Sequence, residues 1–194
     1  MKQETFMGKA IKEMLESGVS VIFNKRKRYS KHNVSNTFDS WNKVPVLTVQ
    51  NYNNEWETNF ENFIHEYCHF LQWKEKSDIY RDGLINLWLL DLYCEGKNEA
   101  FTEEQLWAIQ ELELDCEKRV LGLNKKFKLG IDHDRYIRET NAYIYSYRYS
   151  MEMKVFLTKV DYSDPKISGL FKPILLTKNE CQLDMPEYRK LYVG

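Results

Sequence analysis

The chain contains no apolar run long enough to cross a membrane. Its densest apolar stretch, residues 84–92, is interrupted by Asn86 and Asp91. It falls far short of the roughly 20 residues that a transmembrane helix needs. The N-terminal segment carries charges throughout and lacks the apolar core of a secretory signal peptide. These absences predict a cytoplasmic protein without a membrane partner.

Cysteine is scarce and widely spaced. No C-x-x-C pair occurs, and nothing in the sequence indicates a secreted protein, which is the context that favours a disulfide framework. The cysteines are therefore expected to be reduced and mostly buried. They are Cys68, Cys94, Cys116 and Cys181.

Neither sign of charge is in excess, since 28 basic residues face 29 acidic ones. A nucleic-acid or anionic-membrane surface needs a concentrated basic patch. The single local exception, the basic run at residues 25–28, is expected to be a solvated turn between strands. The sequence therefore indicates no nucleic-acid partner.

Internal repeats and low-complexity linkers are also missing, and 194 residues suit one domain with a substantial core. The sequence predicts a single domain, 1–194, of the α+β class, mostly helical with a small N-terminal β-sheet. Apolar periodicity and capping signals place the elements. The expected strands are residues 19–23, 44–50 and 173–177, and the expected helices are residues 4–16, 58–73, 78–93, 103–121 and 134–153.

One short stretch carries chemistry. FENFIHEYCHFLQW, residues 60–73, places His65 and His69 four residues apart with Glu66 after the first. Its apolar residues recur at three- and four-residue spacing, which indicates a helix with one buried face. Thr58 and Glu61 have the spacing of a capping box at the start of this helix. Both imidazoles would then lie one turn apart on one side and could bind a single zinc ion.

Glu66 lies about 100° around the helix from His65, beside the metal position. A carboxylate there can act as a general base. It can take a proton from a zinc-bound water whose pKa the metal has lowered, and later deliver that proton to a leaving amine.

Catalytic zinc sites usually have three protein ligands, so a third must come from further along the chain. H-E-x-x-H followed by a helix that carries E-x-x-x-D, here Glu111 to Asp115, resembles the gluzincin zinc peptidases. The short format is similar to the ImmA/IrrE-like members, and this similarity implies a bacterial or phage origin. The resemblance implies a zincin-like fold, Glu111 as the third zinc ligand and Asp115 as the carboxylate that supports the first histidine.

Other residues compete for the third position. Glu113 shares a helical stripe with buried apolar residues, and Glu139 follows on the next predicted helix. His133 would give a three-histidine site, but the stretch after His69 lacks the glycine and histidine of the metzincin pattern. At a predicted helix start, His133 is expected to be a capping or exposed residue.

The expected function is hydrolysis of peptide bonds in a peptide or protein substrate, with Zn²⁺ as cofactor. The strand at residues 44–50 is expected to present an edge that could pair with an extended peptide. The alternative is a non-catalytic zinc-binding regulatory protein of the same fold. A third possibility, a helical protein with an accidental motif, predicts no bound metal.

Overall fold

The computed structural model describes residues 1–24, 36–50, 56–156 and 160–191. Within these ranges the fold is α+β, mostly helical with one three-stranded sheet, as the sequence predicts. The basic run at residues 25–28 lies outside the described residues. No helix in the described ranges combines the length and apolarity that a membrane span requires.

The chain divides into two compact units. The first contains Met1–Ser77 and Cys116–Ile131, and the second contains Asp78–Asp115 and Asp132–Gly194. The elements in chain order are α1 (Gln3–Glu16), β1 (Ser20–Asn24), β2 (Asn36–Asp39), β3 (Val46–Gln50), α2 (Trp56–Lys74), α3 (Asp78–Cys94), α4 (Glu103–Phe127), α5 (His133–Met153), α6 (Pro165–Ser168), α7 (Lys178–Cys181) and α8 (Pro186–Lys190).

In the first unit, α1 buries Phe6, Ala10 and Met14, which are spaced four residues apart on one face. The helix ends where Gly18 adopts a φ of +82°, a conformation that glycine reaches without a side-chain clash. The N–H of Val19 then donates to the carbonyl of Met14, which closes the helix end. The predicted end of this helix at Gly18 is confirmed.

The sheet has the strand order β1-β3-β2. Strand β3 pairs with β1 in parallel, from Ser20↔Val46 to Asn24↔Gln50, and with β2 antiparallel, from Asn36↔Val49 to Asp39↔Val46. The prediction that β3 presents an edge is therefore wrong, because both of its sides are paired. Among the described residues the edge strands are β1 and β2, and the sequence analysis did not identify β2.

Helix α2 carries the H-E-x-x-H motif and begins at Trp56. Thr58 therefore lies inside the helix, and the prediction that it caps the N-terminus of the helix is wrong. The buried face of α2 includes Phe60, Phe63 and Phe70. Phe70 meets the ring of Phe38 on β2 edge to face at 6.0 Å, so the edge strand of the sheet packs against the motif helix.

In the second unit, α3 and α4 approach closely at Gly83. A Cβ atom at this position would lie 2.5 Å from Cβ of Leu112 and 3.1 Å from the carbonyl oxygen of Ala108. Such distances are shorter than van der Waals contact, so only a residue without a side chain fits there. Gly122, on the same helix as Leu112, has no atom of the described chain so near its Cβ position.

This difference gives a paired prediction. Gly83→Ala should lower the free energy of unfolding by about 1–3 kcal/mol, because overpacking outweighs the better helix propensity of alanine. Gly122→Ala should raise it by about 0.5–1 kcal/mol. Urea unfolding of both variants measures the two changes, and equal shifts would contradict the close packing of α3 on α4.

Helix α5 begins at His133, and the side chain of Asp132 caps it by accepting a hydrogen bond from the N–H of Arg135. The predicted strand at residues 173–177 is wrong, because this segment is irregular up to α7. The buried amide of Asn141 on α5 binds its backbone instead. It donates to the carbonyls of Lys172 and Ile174 and accepts from the N–H of Leu176. These bonds satisfy backbone groups that would otherwise need a partner strand.

Candidate metal centre

The two motif histidines meet on one side of α2, as their spacing predicts. Their Nε2 atoms lie 3.1 Å apart, and their rings are perpendicular with centroids 4.6 Å apart. Two nitrogens that bind one tetrahedral zinc ion at about 2.0–2.1 Å lie about 3.3 Å from each other. The His65 side chain is 17% exposed, so solvent reaches the pair.

The other ring nitrogen of each histidine faces an oxygen acceptor. Nδ1 of His65 lies 2.9 Å from Oε1 of Glu117, and Nδ1 of His69 lies 2.8 Å from Oε1 of Gln72. An ionised carboxylate and an amide oxygen only accept hydrogen bonds, so these partners assign the ring protons to Nδ1. Both Nε2 atoms then direct lone pairs toward the same point.

Two facing lone pairs repel unless a cation lies between them. Histidines that bind metals usually donate their second N–H to a carboxylate, carbonyl or amide oxygen, which fixes the tautomer and ring orientation. His65 and His69 show this arrangement on both rings. The residues present therefore fit a divalent cation bound by the two Nε2 atoms.

Glu117 and Gln72, which contact the Nδ1 atoms, are the outer partners of the two histidines. Neither was identified in the sequence analysis. Gln72 is fully buried and lies three residues after His69 on α2, where a side chain reaches the preceding turn. This i, i+3 spacing was visible in the sequence. Glu117, 3% exposed, belongs to α4, and its contact with His65 joins residues 52 positions apart. No local signal could have revealed that contact.

A third potential ligand atom in the first unit is the thiol of Cys116. Its Sγ lies 3.6 Å from Nδ1 of His65 and 3.3 Å from the carbonyl oxygen of the same residue. Among the described residues, His65, His69 and Cys116 form a group whose ligand atoms all lie within 4.8 Å of one another. The His65 nitrogen nearest the thiol is the one that already contacts Glu117.

Glu66, the predicted general base, is 8% exposed. Its Oε2 accepts a hydrogen bond of 2.7 Å from the backbone N–H of Phe38 on β2. The carboxylate is thus held by the edge strand of the sheet.

The predicted third ligand and its neighbours on α4 belong to the second unit. Glu111 and Asp115 are partly exposed, and their roles stay predictions. Glu113 is buried, and its Oε1 accepts hydrogen bonds of 3.2 Å from the hydroxyls of Tyr143 and Tyr147. Burial and the Glu113 carboxylate raise the pKa of both phenols well above the ordinary value, so both stay protonated donors.

The remaining candidates make other contacts. His133 is the first residue of α5 and lies beside the carboxylate of Asp134. It is mostly exposed, which was one of its two expected roles, whereas the cap of the helix is Asp132. Glu139 forms an ion pair of 2.9 Å with Arg135 one turn earlier on α5.

No protein-family model, curated protein or solved structure matches this chain.

The outer partners can be tested directly. Glu117→Leu and Gln72→Leu each remove the acceptor that holds one Nδ1–H, so each should weaken zinc binding by about 10- to 100-fold. Glu117→Gln keeps an acceptor and should cost less than Glu117→Leu. Competition with a chromophoric chelator measures these affinities. Glu75→Gln, at an exposed carboxylate paired with Arg119, is the control and should leave affinity unchanged.

If Glu117→Leu bound zinc as tightly as Glu75→Gln, the carboxylate would not support a ligand histidine.

Proposed function

We propose that this chain is a zinc-dependent peptidase of the gluzincin type that acts in the cytoplasm on a peptide or protein substrate. One observation carries the proposal: the Nε2 atoms of His65 and His69 converge at 3.1 Å while both Nδ1 atoms face acceptors. An accidental H-E-x-x-H on a helix would not require acceptors at both outer nitrogens. The arrangement is the one that metal-binding imidazoles adopt.

His65 and His69 would hold the ion, which when bound supplies a Lewis acid that polarises a carbonyl and makes water more acidic. Glu66 would accept the proton of the attacking water and return it to the leaving amine. A non-catalytic metal site needs no such carboxylate between its two histidines. The presence of Glu66 therefore supports hydrolysis over simple metal storage.

The position of β2 at an edge of the sheet also supports a peptide substrate. Strand β2 is an edge strand, and its residue Phe38 contacts Glu66 through the backbone. Because the N–H of Phe38 is bound to Glu66, an extended peptide would have to pair with other backbone groups of this strand, and it would then run past the proposed base. We therefore propose β2, in place of β3, as the strand whose edge binds the peptide.

For the third ligand we propose Glu111, with Asp115 as the carboxylate that supports the first histidine, as the resemblance implied. Glu113 stays the competitor. It precedes Glu117, whose carboxylate contacts Nδ1 of His65, by the same four residues that separate Glu111 from Asp115.

Two matched variants separate these candidates. Glu111→Gln should weaken zinc binding by more than the 10- to 100-fold cost of losing an outer partner, because it replaces a ligand carboxylate with a weakly binding amide. Glu113→Gln should leave the affinity nearly unchanged. The affinities are measured by chelator competition as above. The reverse result would assign the third ligand to Glu113 and would contradict the match of Glu111 and Asp115 to the family pattern.

A second candidate function is a non-catalytic zinc site that stabilises the protein or controls a partner. Cys116 favours it, because a thiol beside two imidazoles offers the ligand types of structural zinc sites. Under this candidate Cys116→Ala should remove the metal. Under the peptidase proposal the variant should keep it, because Cys116 faces the outer nitrogen of His65.

The deciding experiment uses the wild-type protein purified without chelator. Elemental analysis measures the bound metal, and a library of internally quenched fluorescent peptides reports hydrolysis. The peptidase proposal requires about one zinc ion per molecule and cleavage that EDTA stops and zinc restores. Zinc without any cleavage would favour the second candidate, and the absence of metal would refute both.

A further inference from the structure

Phe38 is the residue through which the edge strand β2 is attached to the motif helix. The residue is 9% exposed, and its ring packs edge to face against Phe70 at 6.0 Å and against Trp73 at 5.9 Å. Both partners belong to α2. These contacts fix the position of the strand along the helix at this residue.

The backbone of Phe38 faces away from the rest of the sheet. Phe38 lies opposite Leu47 on β3. The N–H of Ser20 on β1 donates to the carbonyl of Pro45, so the odd-numbered residues at this end of β3 direct their backbone groups toward β1. The alternation of an antiparallel ladder then turns the N–H of Phe38 outward, toward the side of β2 on which the described residues form no further strand.

That outward N–H donates to Oε2 of Glu66 at 2.7 Å, a bond that is buried. Hydrogen bonds to an ionised carboxylate are shorter and stronger than neutral ones. Since one oxygen is fixed by a backbone group, rotation of the carboxylate about its last bond is restrained. The other oxygen keeps a defined orientation without help from another side chain.

We propose that the backbone N–H of Phe38 positions the Glu66 carboxylate for proton transfer. The inference rests on the proposed function, in which Glu66 is the general base. Proton transfer requires the base within hydrogen-bond reach of the proton it accepts, so a freely rotating carboxylate would be less effective. Phe38 is a positioning residue in this account, and its ring serves to hold the donor in place.

The first test compares Phe38→Pro with Phe38→Ala. Both variants lose the ring, and proline alone also loses the N–H. Because this N–H points away from β3, the proline removes no bond of the ladder, and an edge strand tolerates it. The kcat of Phe38→Pro for a cleaved library peptide should be at least about 10-fold below that of Phe38→Ala, with equal zinc content and similar KM. Equal kcat values would overturn the proposal.

The second test needs no activity and remains available if Phe38→Pro does not fold. Hydrogen exchange of the Phe38 amide, followed by NMR, should be at least about 10-fold faster in Glu66→Leu than in the wild type. Glu66→Gln, which keeps an acceptor oxygen, should retain most of the protection. The amides of β3 in the same spectra correct for any general loss of stability.

Unchanged exchange of the Phe38 amide in Glu66→Leu would overturn the proposed contact. If the wild type cleaved no peptide, the peptidase function would fail, and the exchange measurement would still decide whether Phe38 holds the carboxylate.

Discussion

Replacing both His65 and His69 by alanine should leave the chain with no tightly bound zinc, against one ion per molecule in the wild type. The variant removes both nitrogens that converge at 3.1 Å. Zinc that binds only the folded state stabilises it by mass action, by about 2.7 kcal/mol at 100 times the dissociation constant. The wild-type Tm should therefore fall when EDTA is added, whereas the Tm of the double variant should not respond. Elemental analysis and thermal unfolding measure both effects.

His133→Ala is the matched control, because it removes an exposed histidine at the start of α5. It should keep the full zinc content and the response of Tm to EDTA. Full zinc occupancy in the His65→Ala/His69→Ala protein would refute the site. Loss of zinc from His133→Ala alone would indicate a three-histidine site, and the gluzincin assignment would be withdrawn.

Glu66→Gln should lower the rate of peptide hydrolysis by about 100-fold or more while zinc remains bound. The amide keeps the size of the carboxylate and can still accept the hydrogen bond from Phe38, but it cannot accept a proton from water. Loss of general-base catalysis typically costs about 10²- to 10⁴-fold in rate. Initial rates with a cleaved peptide, at matched zinc content, measure the effect.

Glu75→Gln changes an exposed carboxylate just after the same helix and should have the wild-type rate. Chelator-sensitive hydrolysis by Glu66→Gln at the wild-type rate would show that another group is the base. The zinc-site proposal would not be affected by that result, because Glu66→Gln changes neither the two histidines nor their outer partners.

Most helices could be located from the sequence because their determinants are local. The apolar spacing of α1 and the glycine after it depend on residues within a few positions of one another. The same is true of the cap at Asp132 that starts α5. The end of α4 was placed six residues too early, at Leu121 and not at Phe127, so that the prediction stopped just before Gly122. A glycine inside a long helix costs only about 1 kcal/mol, which the rest of the helix offsets.

The strands were harder to predict because pairing depends on distant partners. The segment Asn36–Asp39 is four residues long and mostly polar, yet it forms β2 because β3 offers it a ladder and Phe70 offers it a ring. The segment at residues 173–177 has the apolar content of a strand. Its backbone is bound by Asn141 instead. In both cases the partner lies far away in the sequence, so the segment itself does not reveal it.

The sequence by itself determined that α2 is a helix and that His65 and His69 share one of its sides, because a spacing of four residues is one helical turn. It also placed Glu66 between them. Only the tertiary structure decided what holds these groups. Glu117 comes to His65 from 52 residues away and Phe38 comes to Glu66 from 28 residues away. Contacts at such separations depend on how helices and strands pack, and packing is set by many weak interactions summed over the core, which no short motif encodes.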